Sequence, residues 1–477
     1  MIANADQPIR TKVALINLPH TEALVRRYMC TYNSPFFFPP LELLQAASCI
    51  RKGTGASILF IDAIAEKMNE AQVSRVLAAE QPDVLIALLG VESVSTDYAC
   101  AIHLARTVPH MQLGLFGYYA TRFPEELLQA PEVDVVFRGD VEESCVPYVL
   151  ALAQGHCPEN IPGLAGRNKD SQIFINEPAY IHSFEHIPFP DYSLINRKKY
   201  QEGFMHGTFA TLQISRGCPF TCAYCTSPQD QRYVTRSEEQ VVQELQELAD
   251  LGVKVLRFLD DTFTVNRQRV IRICKGIIDK KIKLKWSCLS RVDTLEAEML
   301  SWMRKAGCVR VIVGVESYSK HVLENYGKGV DPQSINKQLQ LIRDAGIESF
   351  GFIIVGGPFE SEADFEVTKR GVLASSLDMI AVSSIAIYGG SVMAERFRDE
   401  IEFQLIPYVS RWRDPAIEKT ALARERSLYR AFYCRPFTAL KLLRTMLLHP
   451  WMSLKLSLRF LHFQFLSLRS RERPDLF

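Results

Sequence analysis

The chain has 477 residues, with 55 Lys plus Arg against 54 Asp plus Glu and 47% hydrophobic side chains. This is too long for one ordinary core, and two or three globular domains are expected. A net charge of +1 gives no global field to gather nucleic acid, and no apolar run reaches the roughly 18 residues of a spanning helix. The first residues, MIANADQPIRTKVALINLPH, lack the apolar stretch of a signal peptide. A cytoplasmic protein is expected, so its 12 cysteines read as thiols and metal ligands and not as disulfides.

From residue 12 to about 150 short apolar runs alternate with helical stretches. KVALINL, ASILFIDA, PDVLIALLG, MQLGLFG and VDVVFRG read as strands. Helical spacers between them imply a parallel, doubly wound sheet with both faces covered. Ligands of such sheets sit at the carboxyl ends of the strands. Those ends carry Asn17, Asp62, Gly90, Ser93, Ser95, Gly117, Tyr118, Tyr119, Gly139 and Asp140. Residues 151–205, rich in Pro and Gly, read as a linker. From 206 to 395 the alternation restarts with six strand–helix units, which predicts an open, partial (β/α)6 barrel of TIM type with its chemistry on the loops after the strands. Ser237 and Gln240 form a capping box for the first helix, and Gly252 suits its end. Residues 396–477 read as a helical region.

The loop after the first barrel strand is RGCPFTCAYC. Cys218, Cys222 and Cys225 stand three and then two residues apart. A cubane iron–sulfur cluster is held by thiolates, and three of them leave one iron open. An open position is what catalysis needs, as on catalytic zinc. A zinc ribbon would need a second cysteine doublet, and none is present. The remaining nine cysteines, Cys30 among them, read as small buried hydrophobes.

This motif, with aromatic Tyr224 before its last cysteine, resembles that of the radical S-adenosylmethionine (SAM) superfamily. The resemblance implies a [4Fe–4S] cluster whose open iron chelates SAM, and one-electron cleavage to a 5′-deoxyadenosyl radical. It further implies that Asp260 and Asp261 in FLDDTFT meet the methionine ammonium, and that Arg291 in LSRVD forks onto its carboxylate. Glu316 and Ser317 in GVES would meet the ribose. Ile353 and Gly356 in GFIIVGGPFE would lie along the adenine.

The first domain, through FFFPPLELLQAASCIRKGTGASILFIDA and GYYATRFPEELLQAPEVDVVFRGDVEES, is similar to the cobalamin-binding module of many such enzymes, and IPFPDYSLI to their connector. The resemblance implies a Rossmann-like cobalamin domain over 1–150, with Ser93, Ser95, Gly117, Tyr118, Tyr119, Gly139 and Glu142 around the corrin. No Asp-x-His-x-x-Gly is present, so no histidine would bind cobalt. The Gly-Gly pattern after the fourth strand is replaced by Tyr118 and Tyr119. The absence of Gly-x-Gly-x-x-Gly argues against a nicotinamide or flavin.

From Arg426 to Arg471 there are nine Lys or Arg and no Asp or Glu, interleaved with Leu, Phe, Met and Trp. This stretch reads either as a helical cap on the barrel or as a peripheral helix on an anionic membrane. Hopanoid- and tetrapyrrole-modifying relatives have similar tails. The expected activity is therefore cobalamin-dependent radical methylation of an unactivated carbon in a lipid or specialised metabolite. Radical dehydration, rearrangement or cyclisation without corrin is the alternative, and a non-catalytic metal protein the third reading. A small-molecule or lipid substrate and a reductant such as flavodoxin or ferredoxin are the expected partners, without nucleic acid. No individual catalytic residue is singled out.

Overall fold

Apolar runs separated by helical spacers fold here as two parallel sheets backed by helices. The computed structural model describes residues 9–28, 30–34, 36–202, 205, 207–226 and 232–436, with 438, 440, 446 and 447 beyond them.

The first domain runs β1 (Lys12–Asn17), a hairpin of β2 (Leu24–Arg26) and β3 (Thr31–Asn33), α1 (Leu41–Thr54), β4 (Ser57–Asp62), α2 (Ala63–Glu66), α3 (Glu70–Glu80) and β5 (Val84–Leu88). It continues through α4 (Val94–Ala105), β6 (Gln112–Phe116), α5 (Tyr118–Arg122), α6 (Pro124–Leu127), β7 (Val135–Phe137) and α7 (Val141–Ala153). The strands lie parallel in the order β4-β1-β5-β6-β7. Val13 and Leu15 pack under α1 and α7, and Ala14 and Ile16 under α3 and α4. Burial on both faces explains why β1 is apolar without alternation. The order reverses between β1 and β5, which places the ligand crevice of this fold at their carboxyl ends.

The stretch read as a linker carries two more strands. β8 (Leu164–Arg167) and β9 (Ile173–Ile175) extend the first sheet antiparallel to β7. The turn between them is made by Asn168, whose Oδ1 accepts from the N–H groups of Asp170 and Gln172 at 3.0 and 2.9 Å.

The second domain runs β10 (Thr208–Leu212), β11 (Ser215–Arg216), β12 (Val234–Thr235), α8 (Glu238–Asp250), β13 (Val253–Phe258), α9 (Arg267–Asp279) and β14 (Lys285–Arg291). It continues through α10 (Ala297–Lys305), β15 (Cys308–Glu316), α11 (Lys320–Asn325), α12 (Pro332–Asp344), β16 (Glu348–Val355), α13 (Glu362–Ala374) and β17 (Met379–Ser384). Six parallel strands stand in the order β10-β13-β14-β15-β16-β17, so the expected partial barrel is present. The Ser237–Gln240 capping box starts α8. Alternate residues face the helices or the barrel interior. Val311, Val313 and Val315 belong to the helix-side core, while Arg310, Ile312, Gly314 and Glu316 take the other face.

The C-terminal region is not all helical. After α14 (Val392–Arg396) come β18 (Ile401–Gln404) and β19 (Val409–Trp412), paired antiparallel, and then α15 (Pro415–Tyr433). The period-two pattern Ile401, Glu402, Phe403, Gln404 favours a strand over a helix. α15 runs antiparallel to β17 and closes its free edge. Tyr429 OH accepts from the Val382 N–H at 2.9 Å. Tyr433 OH accepts from the Ile380 N–H at 3.2 Å and donates to the Ile380 carbonyl at 2.9 Å. Edge groups that would otherwise recruit another strand are thereby satisfied. The basic stretch at 437–470 lies outside the described residues apart from Thr438, Leu440, Met446 and Leu447. Among the described residues no helix is long and apolar enough to cross a membrane.

Candidate active site

The short β11–β12 ladder pins the base of the cysteine loop, pairing Ser215 with Thr235 and Arg216 with Val234. The loop is clamped further along. Ala223 N–H donates to the Tyr326 carbonyl and the Ala223 carbonyl accepts from Met393 N–H, each at 2.9 Å. Cys218, Cys222 and Cys225 all line one cavity of about 240 Å³ at the carboxyl ends of β10, β13, β14 and β15. Among the described residues no three metal-ligating side chains are grouped as for a single ion. Three thiols on one loop lining one cavity are a donor set that fits a [4Fe–4S] group with one open iron.

Arg291 and Lys328 reach the same cavity, as do Arg27 and Arg216. Arg291 Nη1 donates to Cys222 Sγ at 3.3 Å, and its guanidinium stacks on Phe220 at 3.8 Å. The rest of the fork holds Asp293 at 3.0 and 2.9 Å and the Lys328 carbonyl at 2.6 Å. Lys328 Nζ donates to Glu316 Oε1 at 2.9 Å, both side chains being almost fully buried. Tyr224 OH donates to the same oxygen at 3.1 Å. Glu316 has φ +66°, an uncommon conformation for a non-glycine residue and one that tends to occur at functional sites. Lys328 escapes a sequence reading because it follows α11, outside any strand end; the turn glycines Gly327 and Gly329 flanking it are the only local sign. If Lys328 holds Glu316 for a ligand, Lys328→Met weakens SAM binding about tenfold, because a buried carboxylate loses its cation. Cluster content should not change. Equal SAM affinity in calorimetric titration would refute that role.

Both of the paired acids line the cavity. Asp260 is 1% exposed, and its Oδ1 accepts from the Ile214 N–H at 3.2 Å and from Ser215 Oγ. Burial pushes its pKa up to about 6. It anchors the start of the cysteine loop from the cavity wall, where Asp261 also stands. Three of the expected SAM contacts, Ser317, Ile353 and Gly356, do not line this cavity. Ser317 is fully buried and shares a hydrogen with Thr368 Oγ1 of α13 at 2.7 Å. Ile353 is fully buried in the helix-side core, and its neighbour Phe352, 40% exposed, takes the cavity side. A one-residue step along a strand changes the face. Gly356 has φ +85° and donates its N–H to Glu360 Oε2 at 2.6 Å. A Cβ there would stand 2.1 Å from Ala421 Cβ, so the glycine serves close packing of α15.

The first domain supplies the facing wall: Arg27, Tyr28, Cys30, Glu42 and Asp140. Cys30, read from sequence as bland, thus stands at the site, with burial pushing its thiol up to about 12. Arg216 bridges the domains, 2.5 Å from Glu142 and 3.8 Å from Asp140. Burial raises Glu142 to about 7 despite that guanidinium.

The positions expected around a corrin have protein partners. Ser93 Oγ donates to Asp97 Oδ2 at 2.7 Å. Ser95 Oγ accepts from the Tyr408 N–H and donates to the Leu405 carbonyl at 3.4 Å. Tyr118 OH donates to the Gly389 carbonyl at 3.0 Å and Tyr119 OH to Tyr408 OH at 3.2 Å. Gly117 and Gly139 have backbone carbonyls 2.6 and 2.0 Å from where a Cβ would stand. The segment around Gly389 and Leu405–Tyr408 therefore covers the ends of β5 and β6. The larger room at the carboxyl ends is a cavity of about 720 Å³ beside β1, α2 and α4, lined by His20, Phe37, Lys67, Met68 and Thr96 among others. The β5 and β6 ends as they stand are occupied by protein groups and not open to a cofactor.

A doubly wound domain set against an open half-barrel with a three-cysteine loop defines a class of enzyme that handles an iron–sulfur cluster. Residues 212–370 match the Radical SAM superfamily, and a chain carrying such a domain is an enzyme. It is similar to an uncharacterized methyltransferase of Pyrococcus horikoshii, 29% identical over 448 residues, covering 90% of this chain and 94% of that one. It is also similar to the anaerobic magnesium-protoporphyrin IX monomethyl ester cyclase of Cereibacter sphaeroides, 27% identical, covering 83% of this chain and 67% of that one. Among solved structures, the cobalamin-dependent SAM radical enzyme OxsB, with aqua-cobalamin and SAM bound, superposes with a TM-score of 0.73 at 17% identity. The match covers 87% of this chain and 66% of OxsB. At that identity it establishes the shared two-domain fold.

Proposed function

We propose that this protein is a cobalamin-dependent radical SAM enzyme that methylates an unactivated carbon of a lipid or specialised metabolite. The observation that carries the reading is the cavity where three cysteines, Arg291, Lys328 and Asp261 meet a wall from the first domain. Cys218, Cys222 and Cys225 would hold the cluster. Asp261 would accept from the SAM ammonium, Arg291 and Lys328 face its carboxylate, and Glu316 accept from a ribose hydroxyl. Bound cluster and SAM supply a carbon-centred radical, and a bound corrin supplies the methyl group. The chain's own work is placement and the exclusion of water, with Phe220, Leu289, Ile312 and Phe352 as apolar lining. Phe352 exposes an apolar ring towards the site, which supports an apolar substrate. A flavodoxin or ferredoxin would deliver the electron. A cytoplasmic protein, with the basic C-terminal stretch touching a membrane at its periphery, fits this reading.

Closure of the β5 and β6 ends by Leu405–Tyr408 favours a second reading, radical cyclisation, rearrangement or dehydration without corrin. One experiment separates them. Protein purified without oxygen from cobalamin-fed cells, with its cluster rebuilt, is assayed for corrin and for products of SAM. Near-stoichiometric corrin with both 5′-deoxyadenosine and S-adenosylhomocysteine supports methylation. 5′-Deoxyadenosine alone, from corrin-free protein, supports the second reading. Neither product under strong reductant refutes both.

A further inference from the structure

The half-barrel has a second surface, opposite the cysteines. Its amino-terminal face carries an open groove of about 620 Å³ between the starts of β13, β14 and β15. Five lysines line it: Lys254, Lys281, Lys283, Lys285 and Lys305. All five are exposed. Lys305 lies 4.8 Å from the Trp302 ring centre; the other four form no salt bridge among the described residues. Cations elsewhere in this protein are commonly paired, as at Arg272–Glu238 and Lys199–Glu66. Ile282 and Leu284, between the lysines, point into the core and fix the alternation that turns Lys281, Lys283 and Lys285 outward.

The same face continues around the arc. Arg304 Nε lies 3.8 Å from where a Cβ of Gly346 would stand, at the foot of β16. Arg435 donates to the carbonyls of Leu373 and Leu377 at 2.9 and 3.3 Å, at the foot of β17. Burial lowers the pKa of Arg435, and nearby Arg343 lowers it further. Acids on this face are fewer and mostly engaged. Glu348 is held by Arg310 at 2.6 Å, Asp378 accepts from the Ser349 N–H at 2.9 Å, and Asp250 and Asp344 accept from Gln246 and Gln340 at 2.8 Å. Asp279 is exposed beside the lysines.

α15 decides what this face adjoins. It runs antiparallel to β17, so the chain emerges at Cys434 and Arg435 on the lysine side. The sequence from 437 to 470 that follows holds Lys441, Arg444, Lys455, Arg459 and Arg469 among leucines and aromatics, with no acid. The lysines without salt bridges and the end of α15, after which this basic, apolar sequence begins, therefore lie on one side of the barrel.

We propose that the amino-terminal face of the half-barrel is a docking surface for an anionic lipid bilayer. Lipid phosphates attract clustered lysines, and the basic, apolar sequence that follows the end of α15 favours a bilayer over a soluble anion. Docking on this side leaves the cysteine cavity and its first-domain wall turned away from the membrane plane. The surface is independent of the cofactors, so it stands or falls apart from the catalytic reading.

The test uses the full chain and vesicles of phosphatidylcholine, with or without phosphatidylglycerol. Wild type should float with the anionic vesicles and not the neutral ones. The exposed triple substitution Lys281→Glu, Lys283→Glu, Lys285→Glu should lower that binding about tenfold or more. Its circular dichroism and melting temperature should match wild type. Lys254→Glu with Lys305→Glu should act in the same direction. Undiminished flotation of both variants overturns the proposal, as does wild type that ignores anionic vesicles. Preference for duplex DNA over vesicles at equal phosphate concentration would make the partner a nucleic acid and also overturn it.

Discussion

Cys222→Ala will leave a folded chain that makes no 5′-deoxyadenosine. Two thiols cannot hold the three irons that the open-iron arrangement requires. The substitution also takes from Arg291 the sulfur it contacts at 3.3 Å. Loop anchors through Ala223 to Tyr326 and Met393 use backbone groups and survive, so the loss should appear in chemistry and not in folding. The measurements are iron and sulfide content after reconstitution, and SAM cleavage under strong reductant. Both should fall to the level of protein never exposed to iron. Cleavage that persists would remove the radical SAM assignment of these cysteines.

Arg26→Ala will destabilise the first domain by about 3–5 kcal/mol, the usual result of leaving one buried charge without its partner. Arg26 and Asp97 are 1% and 2% exposed and joined by two bonds, at 2.8 and 2.7 Å. Arg26 also donates to Asn17 Oδ1 and to the Leu18 carbonyl. Asp97 meanwhile accepts from the Gly90 N–H and from Ser93 Oγ. The pair thus ties the β2–β3 hairpin to the carboxyl ends of β1 and β5. Chemical unfolding read separately for each domain measures the loss, and Asp97→Asn in the Arg26→Ala background should recover part of it. A loss below about 1 kcal/mol would mean that water reaches the pair and that it behaves as a surface bridge.

Neither Arg26 nor Asp97 stands out in the sequence, since charged residues next to short strands are ordinary. The same holds for Lys328, Glu42 and Arg216, whose partners are distant in the chain. The hairpins β8–β9 and β18–β19 were obscured by the surrounding Pro, Gly and helical patterns, although Asn168 and the alternation at 401–404 signalled them locally. What was legible had short-range causes. Cysteine spacing is set by one loop, Ser237 and Gln240 by one helix turn, and the strand–helix alternation by burial of each run on both faces.

Composition, the order of apolar runs and the spacing of Cys218, Cys222 and Cys225 determine the two-domain α/β class and the iron–sulfur chemistry, because those features act within a few residues or along one element. The tertiary structure alone decides which side chains reach the cavity. Ile353 and Phe352 differ by one residue and take opposite faces of β16. Ser95 meets Leu405 across 310 residues, and that contact, invisible in either segment, covers the strand ends where a corrin was expected. Face and partner follow from register and packing between elements, and no local pattern encodes them.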